Sequence, residues 1–343
     1  MSSSQKLLIG IMVKNPQPLF PYEFAPSLGI DLFVFSPQGI NWRQKKIKGL
    51  VLENNEWKNK TCPFPLAVYN RLYLKKKKLV TKLEKVIGKN KVFNAVTKFD
   101  KWEINTILQK SNVADYLPAT FIYTESSLYE LLEKYQFLIF KPSVSCLGRQ
   151  VYLVEHSADH HYLLYHNLNL PKIKTTDKTE LVNKLTELIS QEPFIVQQFI
   201  PPDQIDGKIY DIRIYVQKNS YGQWTASGKF SRVGFCNSYI SNYCQQLKSI
   251  NDILQADNLL TKATLEKMES ISIKTARAIE REIGHLGEIS VDFLLDRQGK
   301  PWIIEANGKT QKSIVNQVND ETLALTIYRR PIEYALFLAR KSK

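Results

Sequence analysis

Along the chain, short apolar runs rich in β-branched residues alternate with segments of helical period, an alternation that predicts an α/β (α+β) fold. In the first hundred residues the runs Leu7 to Val13, Asp31 to Phe35, Lys48 to Leu52 and Leu66 to Tyr69 predict strands. Tyr73 to Ile87 has helical spacing, with Leu74, Leu79, Val80, Leu83 and Val86 as its apolar content, and Gly88 closes it. From Phe99, FDKWEINTIL predicts a helix with an acidic residue near its start; Pro118 and the β-branched residues of YLPATFIYT then turn the chain into a strand. A helix over Ser126 to Tyr135, the strand FLIFKPS, a strand from Gln150 to Glu155 and a helix over Thr179 to Ser190 follow. FIVQQFI, Phe194 to Ile200, is apolar enough to be a central strand.

Beyond it, Lys208 to Gln217 and Gln223 to Gly234 predict further strands. Phe235 to Asp257 is rich in Asn, Ser and Gln with weak periodicity and reads as an active-site loop or lid. Thr261 to Ile283 is a long amphipathic helix that buries Leu265, Met268, Ile271, Ala276, Ile279 and Ile283. It feeds a β-hairpin of Ser290 to Leu295 and Pro301 to Ala306 around the turn Asp296-Arg297-Gln298-Gly299. The final helix, Glu321 or so to Arg340, is expected to be interrupted at Pro331.

The hairpin is the first candidate for chemistry. Period two puts Trp302, Ile304 and Ala306 on one face of its second strand and Glu305 and Asn307 on the other, and pairing brings Asp292 beside Glu305. Three hard oxygen donors suit Mg²⁺, which is commonly shared with substrate phosphates; the plain alternative is a pair of solvated strand carboxylates. Lys141 ends a buried strand, where an ammonium either snorkels to water or meets an anion. The small-residue loop SVSCLGRQ after it, with Ser143, Ser145 and Gly148, favours the anion, because the backbone N–H groups of a hairpin flap can cover phosphates. A purine can bond the backbone of FIVQQFI and pack on its apolar neighbours. Asp211 and Arg213 share a strand face, so Asp211 is expected to orient Arg213 toward a phosphate or carboxylate; a surface ion pair is the alternative. Lys229 and Arg232 lie on the next strand. The Lys75 to Lys78 run reads as a solvated helix face, and His156, His160, His161 and His166 as a loose connection without metal-ligand spacing.

Composition narrows the class. With 343 residues, 43% hydrophobic and 23% charged, the chain is an ordinary globular protein of two or three lobes, and nothing in its composition suggests disorder. A net charge of +14, from 47 Lys and Arg against 33 Asp and Glu, favours a polyanionic partner. Cys62, Cys146, Cys236 and Cys244 show no CxxC spacing, which argues against a zinc site or disulfide framework and for reduced thiols. No apolar run approaches the roughly 20 residues that cross a bilayer. The expectation is a cytoplasmic protein without a transmembrane segment.

In order, FDKWEINTIL, FLIFKPSVSCLGRQ, FIVQQFI, DIRIYV, GKFSRVG and GEISVDFLLDRQGKPWIIEAN resemble the ATP-grasp superfamily, and within it the YheC/YheD-like, spore-coat-associated group, over nearly the whole chain. The resemblance implies an ATP-grasp fold with an N-terminal lobe at 1–97, a central subdomain with a phosphate-covering flap at 98–192 and a C-terminal subdomain with the Mg²⁺ site at 193–343. It implies that Lys101 and Lys141 contact ATP phosphates beneath the Ser143 to Gly148 loop. Backbone groups of Gln198 and Ile200 would hold adenine, Gln197 and Phe199 would line the pocket, and Asp203 would meet the ribose. Asp292, Glu305 and Asn307 would hold two Mg²⁺, and Arg213 and Arg232 would steady the transferred phosphoryl group or the acyl-phosphate. The implied activity is that of an ATP-dependent ligase joining a carboxylate to an amine or thiol, with the +14 charge pointing to a peptide or acidic polymer. The alternative is a catalytically reduced coat scaffold; a nucleic-acid binder ranks last for want of an aromatic–basic surface. The chain departs from the family in its glycine-poor phosphate loop, in Ser241-Asn242-Tyr243-Cys244-Gln245-Gln246 where relatives carry glycines, and in Gly308-Lys309 after Asn307.

Overall fold

Three sheets succeed one another along the chain in a computed structural model that describes residues 6–53, 55–145, 150–166, 170–189, 193–241 and 244–341. The first contains β1 (Leu7–Met12), β2 (Ile30–Asn41), β3 (Lys46–Glu53), β4 (Glu56–Pro63), β5 (Ala67–Asn70) and β6 (Val92–Phe93), in the order β4-β3-β2-β1-β5-β6. β1 pairs in parallel with both β2 and β5, the setting in which a strand is apolar on both faces, as LLIGIM nearly is. β4 carries no apolar pattern and is exposed along most of its length; it forms because it pairs residue for residue with β3. Helix α1 (Lys78–Ile87) covers one face of this sheet with Val80, Leu83 and Ile87.

Helix α2 (Lys101–Gln109) leads to the second sheet, made of β7 (Thr120–Ile122), β8 (Phe137–Pro142), β9 (Tyr152–His156), β10 (Tyr162–His166), β11 (Pro171–Thr175) and β12 (Phe194–Gln198), with α3 (Glu125–Tyr135) and α4 (Lys178–Leu188) on one face. Its order is β11-β10-β9-β8-β12-β7, so β12 is hydrogen bonded here, between β8 and β7, although it lies beyond residue 192. Period two decides the faces: Leu138, Phe140, Phe194 and Val196 pack on Leu128, Leu132, Leu181 and Leu185 of the helices, and Ile139, Lys141 and Gln197 point the other way. The histidine segment is a β9–β10 hairpin instead of the expected loose connection. His156 stacks on Tyr162 with ring centroids 4.8 Å apart.

The third sheet has the order β16-β15-β14-β17-β18, from β13 (Gln204–Ile205, paired with β14), β14 (Lys208–Lys218), β15 (Trp224–Gly234), β16 (Cys244–Lys248), β17 (Glu288–Leu295) and β18 (Pro301–Asn307). Between β16 and β17 run α5 (Ile250–Ala256) and α6 (Lys262–Ile283), and α7 (Glu321–Arg340) follows β18. Tyr210, Ile212, Ile214, Ile289, Val291 and Phe293 face Leu265, Met268, Ile271 and Ile279 of α6, and Ile104 and Leu108 of α2 join them. The expected lid over 235–257 is in large part regular: β16 joins the sheet edge, and a capping box of Ser249 and Asp252 starts α5. Helix α7 runs through Pro331 without the expected break, because Ile327, Ile332 and Ala335 stay fully buried on either side of it.

The strand β17, which carries Asp292, is fastened to the first lobe through buried Glu288. That carboxylate accepts from the Tyr69 hydroxyl at 2.5 Å and the Thr310 hydroxyl at 2.8 Å, and pairs with the Lys312 ammonium at 2.6 Å. No described helix is long and apolar enough to cross a membrane.

Candidate functional site

The polar face of the third sheet looks across a cleft at the face of the second sheet that its helices do not cover. Ile139, Val151, Phe199, Ile240 and Leu294 make the cleft apolar at one end, and Lys101, Lys141, Arg232, Asp292 and Glu305 make it charged at the other.

The charges form a row set by strand register. Arg232 on β15 lies opposite Asp211 on β14, Arg213 on β14 opposite Asp292 on β17, and Asp292 opposite Glu305 on β18. Arg213 grips Asp292 at two points, Nε to Oδ1 at 2.7 Å and Nη2 to Oδ2 at 2.6 Å. Arg232 donates to Asp211 through Nε at 2.9 Å and Nη2 at 2.6 Å, and through Nη2 to Asp292 Oδ2 at 3.0 Å. Asp211 therefore holds Arg232 rather than Arg213, a correction to the sequence expectation: the two share a strand face, but the side chain directly across the ladder is nearer. The Ser241 hydroxyl also donates to Asp211. Burial would raise the Asp292 carboxyl, but the guanidinium groups of Arg213 and Arg232 win and hold it below the ordinary carboxylate value. Arg213 is not among the cleft-lining residues; Arg232 is.

A β-bulge at Ile304 breaks the alternation in β18, with Glu305 opposite Asp292 and Ile303 opposite Phe293. Ile303 and Ala306 accordingly enter the core, and Ile304, expected on that face, lines the cleft beside Glu305. The Asn307 amide nitrogen lies 3.4 Å from both Asp292 Oδ2 and Glu305 Oε2. A half-turn of that amide exchanges its nitrogen for its oxygen, so two carboxylates and a carboxamide oxygen converge, a donor set that fits Mg²⁺.

Lys101 opens α2, and its ammonium lies 3.2 Å from Glu305 Oε1 and 3.1 Å from Ser145 Oγ. Its helix is capped by Asp100, which accepts from the Trp102 N–H at 3.0 Å. Ser143, expected in the phosphate-covering loop, gives its hydroxyl to Asp100 and its N–H to the Pro193 carbonyl at 2.7 Å. It fixes the start of α2 and thereby Lys101. Gly148 lies outside the described residues. Lys141 is buried and donates to Gln197 Oε1 at 2.8 Å, and the Gln197 amide donates in turn to Thr120 at 3.0 Å. Burial pushes the Lys141 ammonium down to about 8, with Glu305 opposing the fall and Lys101 adding to it.

At the apolar end, Gln198 and Ile200 line the cleft with Phe199. The Gln198 N–H donates to the Ala119 carbonyl at 2.8 Å and is not free for a ligand. Asp203 is not among the lining residues; its carboxyl, raised by burial and by Asp257, sits beside Asp257 and Tyr210. Ile139, Val151 and Ile240 were not expected in the cleft. The signal for Ile139 was available, since it precedes Lys141 by two residues on one strand face.

The profile of the family described as YheC/D-like ATP-grasp matches residues 89–338. Endospore coat-associated protein YheD of Bacillus subtilis (strain 168) is 26% identical over 329 residues, covering 90% of this chain and 71% of YheD. Endospore coat-associated protein YheC of the same organism is 23% identical over 331 residues, covering 92% of this chain and 90% of YheC. Among solved structures, the ATP-grasp ligase PsnB complexed with minimal precursor, Mg and ADP superimposes with a TM-score of 0.58 at 13% identity, over 97% of this chain and 98% of PsnB.

Proposed function

Because this chain belongs to the YheC/D-like ATP-grasp family, and its fold is the ATP-grasp fold, we propose that it is an ATP-dependent ligase that activates a carboxylate as an acyl-phosphate and passes the acyl group to an amine or thiol. The observation that carries this reading is the two-ended cleft: Lys101 and Lys141 stand beside Asp292 and Glu305 at one end, and Phe199, Leu294 and Ile139 form an apolar slot at the other. A nucleotide has the same two ends, an anionic phosphate chain and a flat apolar base.

In this reading, Lys101, Lys141 and Ser145 meet the phosphates, and the Gln198 carbonyl and Ile200 N–H meet the base. Asp292, Glu305 and Asn307 would hold Mg²⁺, two ions in our assignment, which when bound neutralises charge on phosphate oxygens. The substrate carboxylate oxygen attacks the γ-phosphorus and ADP leaves. The nucleophile then attacks the acyl carbon, phosphate leaves with the former carboxylate oxygen, and the amine proton passes to solvent. Arg232, at the cleft wall, steadies the transferring group as its charge spreads. Arg213 acts through Asp292, which it holds in place. A peptide or acidic polymer suits the +14 charge as substrate. From the names of YheD and YheC we propose a setting at the endospore coat.

The test is an ADP-release screen over amino acids and acidic peptides with hydroxylamine as acceptor. The expected result is a hydroxamate formed only with ATP, Mg²⁺ and the correct acid. A stable phosphorylated alcohol instead would make the protein a kinase, and absence of nucleotide binding would favour the scaffold.

A further inference from the structure

The net charge is not spread over the chain. Residues 1–97 hold 17 Lys and Arg against 5 Asp and Glu, and residues 98–343 hold 30 against 28, so +12 of the +14 belongs to the first lobe. On that lobe α1 concentrates it. Lys75, Lys76, Lys77 and Lys78 lead into the helix, Lys82 and Lys85 lie along it and Lys89 leaves it, all exposed. Lys78, Lys82 and Lys85 are spaced by four and three residues and form one stripe. Among the described residues none of these seven ammonium groups forms an ion pair with a carboxylate. The sole acid of the helix, Glu84, is turned to the Val92 N–H, 3.4 Å away.

We propose that this lysine face is the docking surface for an acidic polypeptide, a chain of carboxylates, that supplies the acid to be activated; the delivery step rests on the ligase reading above. The surface leads toward the cleft. The Leu74 carbonyl, at the entrance to α1, accepts the N–H groups of Thr97 and Lys98, each at 2.9 Å. The Lys98 ammonium lies 5.5 Å from the centre of the Tyr73 ring, and Lys98 is three residues from Lys101, whose ammonium is 3.2 Å from Glu305. A flexible polyanion on α1 thus has cations to follow to the reacting end.

The chemistry of the face chooses among anions. Insertion into a membrane is excluded, because Val80, Leu83 and Ile87, the apolar side of α1, are committed to the core. Nucleic-acid recognition draws on arginine forks and stacking aromatics; here all seven cations are lysines, and nearby Trp42 is covered by the Lys82 ammonium, 4.1 Å from its ring centre. Compact charges on mobile stems suit a flexible polycarboxylate.

The experiment is fluorescence anisotropy of labelled oligo-glutamate on the full chain, with an oligonucleotide of equal charge as competitor. Exposed ion pairs are each worth a factor of roughly two to five. The combined variant Lys78→Gln, Lys82→Gln, Lys85→Gln should therefore weaken oligo-glutamate binding by about tenfold or more and leave Mg-ADP affinity unchanged. A control with the same loss of charge on α6, Lys262→Gln, Lys267→Gln, Lys274→Gln, should change it less than about twofold. Unchanged affinity in the α1 variant, equal loss in the control, or tighter binding of the oligonucleotide would overturn the proposal. Oligo-glutamate binding that depends on the α1 lysines in a protein that binds no Mg-ADP would keep this surface and refute the ligase reading.

Discussion

Arg213 and Asp292 meet from neighbouring strands in a two-point contact of 2.7 and 2.6 Å, and both are buried. Asp292 also takes a bond from Arg232, which Asp211 holds as well, so Asp292 is the carboxylate on which Arg213 depends.

Asp292 and Glu305 should therefore fail differently when neutralised. Asp292→Asn leaves buried Arg213 facing an amide, while Arg232 keeps Asp211, and breaking such a buried pair costs about 3–5 kcal/mol. Glu305 is partly exposed and its partner Lys101 is 3.2 Å away, so Glu305→Gln should change stability by less than about 1 kcal/mol. Both should lower Mg-dependent turnover by about 100-fold or more, the scale of losing a group that stabilises transition-state charge. Urea denaturation and ADP release measure the two effects; a fully stable Asp292→Asn would contradict the buried-pair account.

Nucleotide affinity should fall as pH rises through about 8, where the buried Lys141 ammonium of the free protein loses its proton. A bound phosphate keeps that proton, so binding above this pH takes one up. Calorimetry in buffers of different ionisation enthalpy reads the uptake directly. Lys141→Arg, charged throughout the range, should flatten the profile, whatever its effect on absolute affinity. An affinity independent of pH between about 7 and 9.5 would return Lys141 to a packing role.

His285 should make the protein acid-sensitive. Its Nδ1 is 3.0 Å from the Val92 carbonyl and so carries the ring proton, and Nε2 accepts from the Tyr334 hydroxyl at 2.6 Å. Burial, with Lys218 adding, holds it down to about 4. The unfolded chain protonates near 6.5 and the folded chain does not, so this contribution is whole above about 6.5 and is lost as pH falls toward 4. The loss is on the order of 3 kcal/mol. Urea midpoints at both ends of that window should differ less in His285→Gln than in the unaltered chain; equal differences would be the contrary result.

How far the sequence carried differs from residue to residue. The meeting of Asp292 and Glu305 was legible because one hairpin with a strong period of two brings them together, and the long helix α6 was legible from its apolar stripe. The inward turn of Ile303 and the outward turn of Ile304 were not, because a bulge depends on the geometry of the strand pair and breaks the alternation of faces along β18. The bond of Asp211 to Arg232 needs the register of β14 on β15, which neither strand states alone. β4, mostly exposed, and β16, with no buried residue, are edge strands held by ladder hydrogen bonds that leave no apolar pattern to read. Ser143 and Ser241 act through single hydroxyl bonds across long separations, and the sequence around them carries no sign of it.

The most direct measurement of the central claim follows an oxygen atom. The acid that stimulates ADP release is prepared with ¹⁸O in its reacting carboxylate and turned over with ATP, Mg²⁺ and hydroxylamine, and the released phosphate is weighed by mass spectrometry. If the carboxylate attacks the γ-phosphorus and phosphate leaves from the acyl carbon, each phosphate carries one ¹⁸O from the acid. Phosphate released without that label would mean that the acid only stimulates ATP hydrolysis and is never activated, which would contradict the ligase account.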